Sequence, residues 1–277
     1  MFTRAANLAG DDAGLTVLLA AGVPRVAHGV RLECECGDLS QWFSPGAAFR
    51  WEGDELWVGA RRGASVCVVT TGAQAWRCPL HTPRASAERL AHAAARICAG
   101  EDPIPTLALP FKGRARVGMG SARGSDTPHP GHVAVRSRLA LLADAYRAGD
   151  AAAIAQAVHT LIGLGPGLTP AGDDALIGWL AGTALLPVEP RRDALCAAIR
   201  RCLPRTTDVS RAHLEDALAG EFSEPLAHFA NALLVSTVRA RDALAELAAV
   251  GATSGLDAAN GLLVALVAMH ETQVCDA

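Results

Sequence analysis

A chain of 277 residues that is 51% hydrophobic, with a mean hydropathy of +0.22 and a formal net charge of −3, has room for one large domain or two ordinary ones and is too apolar to be disordered. Its pI near 6.3 argues against a nucleic-acid partner, and no apolar run reaches the roughly 18 residues that a membrane-spanning helix needs. Twenty-four arginines beside the single Lys112 read as coding bias and not as a binding code.

The first third of the chain has the pattern of strands. "LTVLLAAGV", from residue 15, follows Asp11 and Asp12, where a secretory signal would carry positive charge, so it is expected to be a core segment of a cytoplasmic protein. "RVAHGVRLECEC" and "SVCVVTTG" are rich in branched residues, and "AFRWEGDELWVGA" alternates around a Glu-Gly-Asp turn as a hairpin does. Trp42, Trp51, Trp57 and Trp76 all fall in this region and are expected to supply the aromatic mass of its core. The eight cysteines make no C-x-x-C pair. Cys34 and Cys36 share a strand face but find no further ligands nearby, so they read as reduced thiols.

"ASAERLAHAAARICAG" is a helix that opens on Ser86 and stops at Gly100. The proline- and glycine-rich stretch 101–131 then marks a boundary or a long loop, and its "GMGSARG" lacks the ending of a phosphate-binding P-loop. From residue 132 the pattern is almost wholly helical, with Ala and Gly faces that allow close helix packing. The expected fold is α+β: a β-rich, small barrel or sandwich-like domain over 1–130, containing one helix and the connector, then a helical domain over 131–277.

"GLGPGLTPAGDD", 163–174, interrupts the helical half. Gly163 is suited to close the preceding helix, Thr169 to cap the next and Pro170 to be its first residue. Gly165, Gly167 and Gly172 add backbone freedom, so the run brings free amides and a helix N-terminus to one place, which is a way to bind an anion without a lysine. Asp173 and Asp174 fall in the first turn and point about 100° apart, which suits one to a reactive role and the other to a structural one. Asp173 is the expected reactive member. "GATSGLDAANG", 251–261, repeats the theme: Ser254 is an expected cap with Asp257 completing a capping box, Gly255 lies between them, and Thr253 and Asp257 are spaced as Thr169 and Asp173 are. His159, one turn before the loop, reads as structural, and the arginines of "RRDALCAAIRRCLPRTTDVSR" read as a solvated helix face.

"LIGLGPGLTPAGDDALIGWLAG", with the later "TSGLDAANGLL", resembles a largely uncharacterised bacterial family whose signature is close to G-L-G-x-G-L-T-P-S-G-D-D. That family is similar to the AllH-type small subunit of oxamate carbamoyltransferase of anaerobic allantoin catabolism. Ala171 stands where serine is usual. The resemblance implies a subunit of a carbamoyl- or acyl-transferring complex, with an FdrA-type subunit and a further subunit as partners. Combined with the loop, it predicts a small anionic substrate bound by Gly163, Gly165, Gly167, Thr169 and Gly172 together with Ser254, Gly255 and Asp257. Asp173 or Asp174 would serve as a base or as a ligand of Mg²⁺. The alternative is a non-catalytic scaffold whose loop packs against a partner.

Overall fold

Short strands with alternating burial and glycine turns build the N-terminal part, and alanine-rich helices build the remainder. The computed structural model describes residues 4–10, 14–33, 38–59, 65–77, 80, 87–98, 130–187 and 190–275. Ser86, Gly100, Cys34, Cys36 and "GMGSARG" lie outside the described residues. The chain divides into two units, Met1–Cys78 with Glu221–Glu224, and Pro79–Gly220 with Pro225–Ala277.

In the first unit β1 (Ala5–Gly10) and β2 (Gly14–Leu19) form an antiparallel hairpin in the register Ala5↔Leu19, and β3 (Gly29–Arg31) adds in parallel to β2. A second sheet is the meander β4 (Phe49–Glu52), β5 (Glu55–Gly59) and β6 (Ser65–Val69), turning at Gly53 with φ +60°. The α+β class is as expected, although the strands form two three-stranded sheets and close no barrel among the described residues. The aromatic core is a correction. The apolar centre is Leu8, Leu18, Leu39, Phe43, Leu56 and Val58, while Trp42 is 50% exposed, and Trp57 and Trp76 lie under the guanidinium groups of Arg50 and Arg25. A sheet of three short strands has one thin apolar layer, which branched aliphatics fill and bulky indoles overrun.

The helices are α1 (Ala87–Cys98), α2 (Pro130–Ala148), α3 (Ala151–Leu161), α4 (Ala171–Ala184), α5 (Pro190–Cys202), α6 (Asp208–Leu218), α7 (Glu224–Val235), α8 (Thr237–Ala248) and α9 (Ser254–Cys275). The run 223–251, which reads as one continuous helix, breaks at Ser236. Its backbone is extended there, and its hydroxyl accepts from the Arg239 N–H at 3.3 Å to start α8.

Helices α4 and α9 form the centre of the helical unit, with α2, α3 and α6 against α4 and α1, α2 and α8 against α9. Their backbones approach so closely that a Cβ on Gly178 would sit 1.8 Å from the Ala258 carbonyl oxygen, and one on Gly261 would sit 1.9 Å from that of Ala175. Thr169 Oγ1 lies 3.0 Å from Ser254 Oγ before this crossing and Gly182 meets Leu262 beyond it, so the two helices run in the same direction. Their N-termini, residues 171 and 254, therefore start side by side. Trp179 of α4 is fully buried and packs edge-on to Tyr146 at 5.8 Å.

Candidate functional site

The loop between α3 and α4 is shaped by glycine where the backbone leaves no alternative. Gly163 has φ +72° and faces the Arg205 carbonyl oxygen, which an added Cβ would approach to 2.7 Å. Gly165 and Gly167 follow at φ +122° and +96°. Gly172 seats the start of α4 on the end of α3, since a Cβ there would lie 2.0 Å from the Leu161 carbonyl oxygen. The N-cap is Pro170, with no side-chain cap, so the expected Thr169 cap and Pro170 first residue are each displaced by one position. The Pro170 carbonyl takes the first helical bonds, from Asp173 and Asp174 N–H at 2.9 and 3.1 Å, and Gly172 N–H donates to Leu164 O at 2.9 Å. These helix amides are already spent within the protein.

The same is true of Asp173. Its fully buried carboxylate accepts from Gly163 N–H at 2.7 Å, from Ser210 Oγ at 2.7 Å and from Thr206 Oγ1. Burial pushes its pKa up, while the three donors pull it back. Thr207 caps α6 and donates its hydroxyl to the Leu168 carbonyl. Residues 205–210 thus clamp the loop at both ends, a role that the reading of this stretch as a solvated face missed. Its sequence signal is the close-set hydroxyls of "TTDVS", each within reach of α6's first turn.

On the other side of α4, Asp174 is 7% exposed and accepts a hydrogen bond from Ser254, while its Oδ2 has no partner among the described residues. Burial first, then the neighbouring Asp257 and Asp173 charges, raise its pKa well above the ordinary carboxyl range. Ser254 Oγ also lies 3.0 Å from Thr169 Oγ1. The capping box is a second correction: Ser254 is the first residue of α9, Asp257 N–H donates to Thr253 O at 2.9 Å, and the Ser254 hydroxyl turns to α4 instead. Asp257 is 4% exposed, and its charge offsets the lowering that burial imposes on Arg136 of α2.

The fold therefore unites Thr169, Asp174, Ser254 and Asp257 at the paired helix starts. It places Gly163 with Asp173 behind the loop and leaves Gly167 exposed at its tip. Gly172 and Gly255 serve packing, the latter because a Cβ would lie 1.7 Å from the Leu247 carbonyl oxygen. His159 is exposed on α3. In the loop, the N–H groups of Gly165, Gly167, Leu168 and Thr169 meet no protein acceptor among the described residues. No group of three or more His, Cys, Asp or Glu that could hold a metal comes together among them, and the two oxygens of Asp173 are fully engaged. No helix among them is long and apolar enough to cross a membrane. No solved structure matches the chain. Residues 161–266, from the end of α3 through most of α9, match the model of the family described as oxamate carbamoyltransferase subunit AllH, the family that the loop motif resembles.

Proposed function

We propose that the chain is a subunit of a carbamoyl-transferring complex and holds a small anion, such as carbamoyl phosphate or an oxamate-like carboxylate, on the loop between α3 and α4. The observation that carries this reading is the set of four loop amides, at 165, 167, 168 and 169, that meet no acceptor among the described residues. Two of these amides belong to glycines at positive φ, +122° and +96°, the kind of backbone from which anion-binding nests are built. The loop is held in that shape by Asp173 through Gly163 and by Thr207 through Leu168. Asp173 is then the structural carboxylate and Asp174 the reactive one, the reverse of the order expected from spacing. Ala171 places a methyl group against Gly165, where an added Cβ would meet it at 3.4 Å, so the missing serine hydroxyl falls beside the loop backbone. The matched family, oxamate carbamoyltransferase subunit AllH, suggests the carbamoyl group and further subunits.

The test is thermal. Phosphate, sulfate or oxamate at millimolar concentration raises the melting temperature of the purified protein, as a ligand selective for the native state must, the added stabilisation being about 2.7 kcal/mol at a hundredfold excess over Kd. Gly167→Val abolishes the gain through its backbone alone, because the space around Gly167 is open while its φ of +96° resists a branched residue. An unchanged melting curve for both proteins refutes the anion site. That result leaves the scaffold reading, which the apolar loop tip favours, Leu168 being 47% exposed.

A further inference from the structure

Two adjacent carboxylates at the start of α4 have opposite surroundings. Asp173 has a donor for each oxygen and a second for Oδ2, which favour its charged form against the burial that raises its pKa. Asp174, nine-tenths buried, has Ser254 on one oxygen and no donor among the described residues on the other. An anionic oxygen without a donor in a buried place is costly, whereas a neutral carboxyl leaves only a weak acceptor unmet. Environments that separate two neighbouring carboxyls in this way are how one site obtains a fixed charge and a proton carrier.

The carrier is wired outward. Ser254 has one hydroxyl proton, and in bonding to ionised Asp174 it spends that proton. Thr169 must then donate to Ser254 across their 3.0 Å contact and present its own lone pairs to the loop. When Asp174 is protonated and donates to Ser254, both hydroxyls reverse, and Thr169 presents a proton. The chain of oxygens thus has two polarities that differ by one proton on a buried carboxyl, with its outer end among the unengaged amides.

We infer that Asp174, Ser254 and Thr169 form a proton relay that takes the proton from the N–H or O–H group of an acceptor substrate held at the loop. This rests on the functional reading above and adds the route of the proton. The substrate proton passes to Thr169 Oγ1 as the Thr169 proton moves to Ser254 Oγ and the Ser254 proton to Asp174 Oδ1. The lone pair left on the substrate atom forms the bond to the carbonyl carbon of a carbamoyl mixed anhydride. The bond from that carbon to the leaving oxygen breaks, and the oxygen departs as the anion with the electron pair. No oxidation or reduction occurs. Thr169 touches substrate, while Ser254 and Asp174 act through it. The charged groups around the relay are Asp173 on α4, Asp257 on α9 and, beside Asp257, Arg136 on α2. Both carboxylates oppose ionisation of Asp174.

The experiment measures carbamoyl transfer by the assembled complex across pH, alongside the infrared carboxyl band of Asp174 in this subunit. Thr169→Val, Ser254→Ala and Asp174→Asn each lower kcat by about a hundredfold or more with KM within a few-fold, the size of a positioned base. Pairing any two costs little more than one, since they act as a unit. Thr169→Ser, which keeps the hydroxyl, recovers most of the rate lost in Thr169→Val. Full kcat in Thr169→Val, or no recovery in Thr169→Ser, overturns the relay. The infrared arm needs no turnover: the pH at which the band present in the wild type and absent in Asp174→Asn titrates shifts in Ser254→Ala and Thr169→Val. An unmoved band overturns the relay. A complex inactive in every form, with anions failing to bind the loop, refutes the functional reading instead and leaves the band as the judge of the relay.

Discussion

Replacing Gly178 by alanine tests the central feature of the helical unit, because a single methyl there has nowhere to go. The Cβ would lie 1.8 Å from the Ala258 carbonyl oxygen, where an ordinary carbon–oxygen contact is about 3.3 Å or more. The obstacle is backbone, which cannot rotate aside as a side chain does. Accommodating the methyl therefore requires α4 and α9 to part by about 1.5 Å, the difference between the two distances. That separation loosens close-packed contacts around Leu176, Leu180 and Leu262, all fully buried. Overpacking typically costs about 1–3 kcal/mol, and the rigid obstacle puts this site at or above the upper end. At about 2–4 °C per kcal/mol, the melting temperature falls by roughly 6–12 °C, measured by circular dichroism. Gly220→Ala is the control, with φ +85° but nothing within 4 Å of its added Cβ. It carries only the backbone term of about 1–2 kcal/mol. Gly261→Ala repeats the perturbation from the partner helix, and the double variant costs less than the sum because one separation relieves both contacts. A Gly178→Ala protein melting within about 2 °C of the parent, or no lower than Gly220→Ala, refutes the described approach of α4 and α9.

Asp173→Ala leaves Gly163 N–H and the Thr206 and Ser210 hydroxyls without their acceptor, so urea unfolding should show a loss of about 3 kcal/mol or more, and Asp173→Asn less because the hydroxyls can turn to accept. A loss under about 1 kcal/mol in the alanine variant contradicts the clamp. Asp174 has its folded pKa raised above the unfolded one, so the stability its proton contributes is present in full below the unfolded value and fades as pH rises through the folded value. Asp174→Asn should accordingly be more stable than the parent at neutral pH and show a flatter stability profile above the acid range, each unit of the raise being worth about 1.4 kcal/mol; a variant less stable at pH 7 reverses the argument. Ser236→Ala removes the cap that divides α7 from α8 and should cost about 1 kcal/mol, with faster amide exchange confined to the first turn of α8.

Local signals carried the elements. A short apolar run marked β2 as a core segment, alternation placed the β4–β5 hairpin, a glycine at positive φ closed α3, and the helical spacing of the second half gave its helices, because each of these depends on neighbours within a few residues. Where the signal was local but ambiguous, boundaries slipped: Ser236 looked like one more residue of a long helix, and Pro170 stood one place before its usual role as first helical residue. The loop motif marked where to look, since so many glycines before a helix have few other uses.

Which carboxylate does what was not legible at that range. Asp173 and Asp174 are adjacent and identical in type, and their difference comes from Thr206, Ser210 and Ser254, which lie 33, 37 and 80 positions from their partners and are brought in by other helices. Likewise Thr169 and Ser254 each read as caps for their own helix, yet their hydroxyls meet across a contact of 85 positions because glycines at 178 and 261 let α4 and α9 lie backbone to backbone. The sequence alone determined the elements, the order of strands then helices, and the family-like loop, all properties of short-range chemistry. The tertiary structure alone decided which polar groups are paired, which are buried without a partner and which hydroxyls are wired together, because burial and hydrogen-bond partnership are properties of neighbours in space.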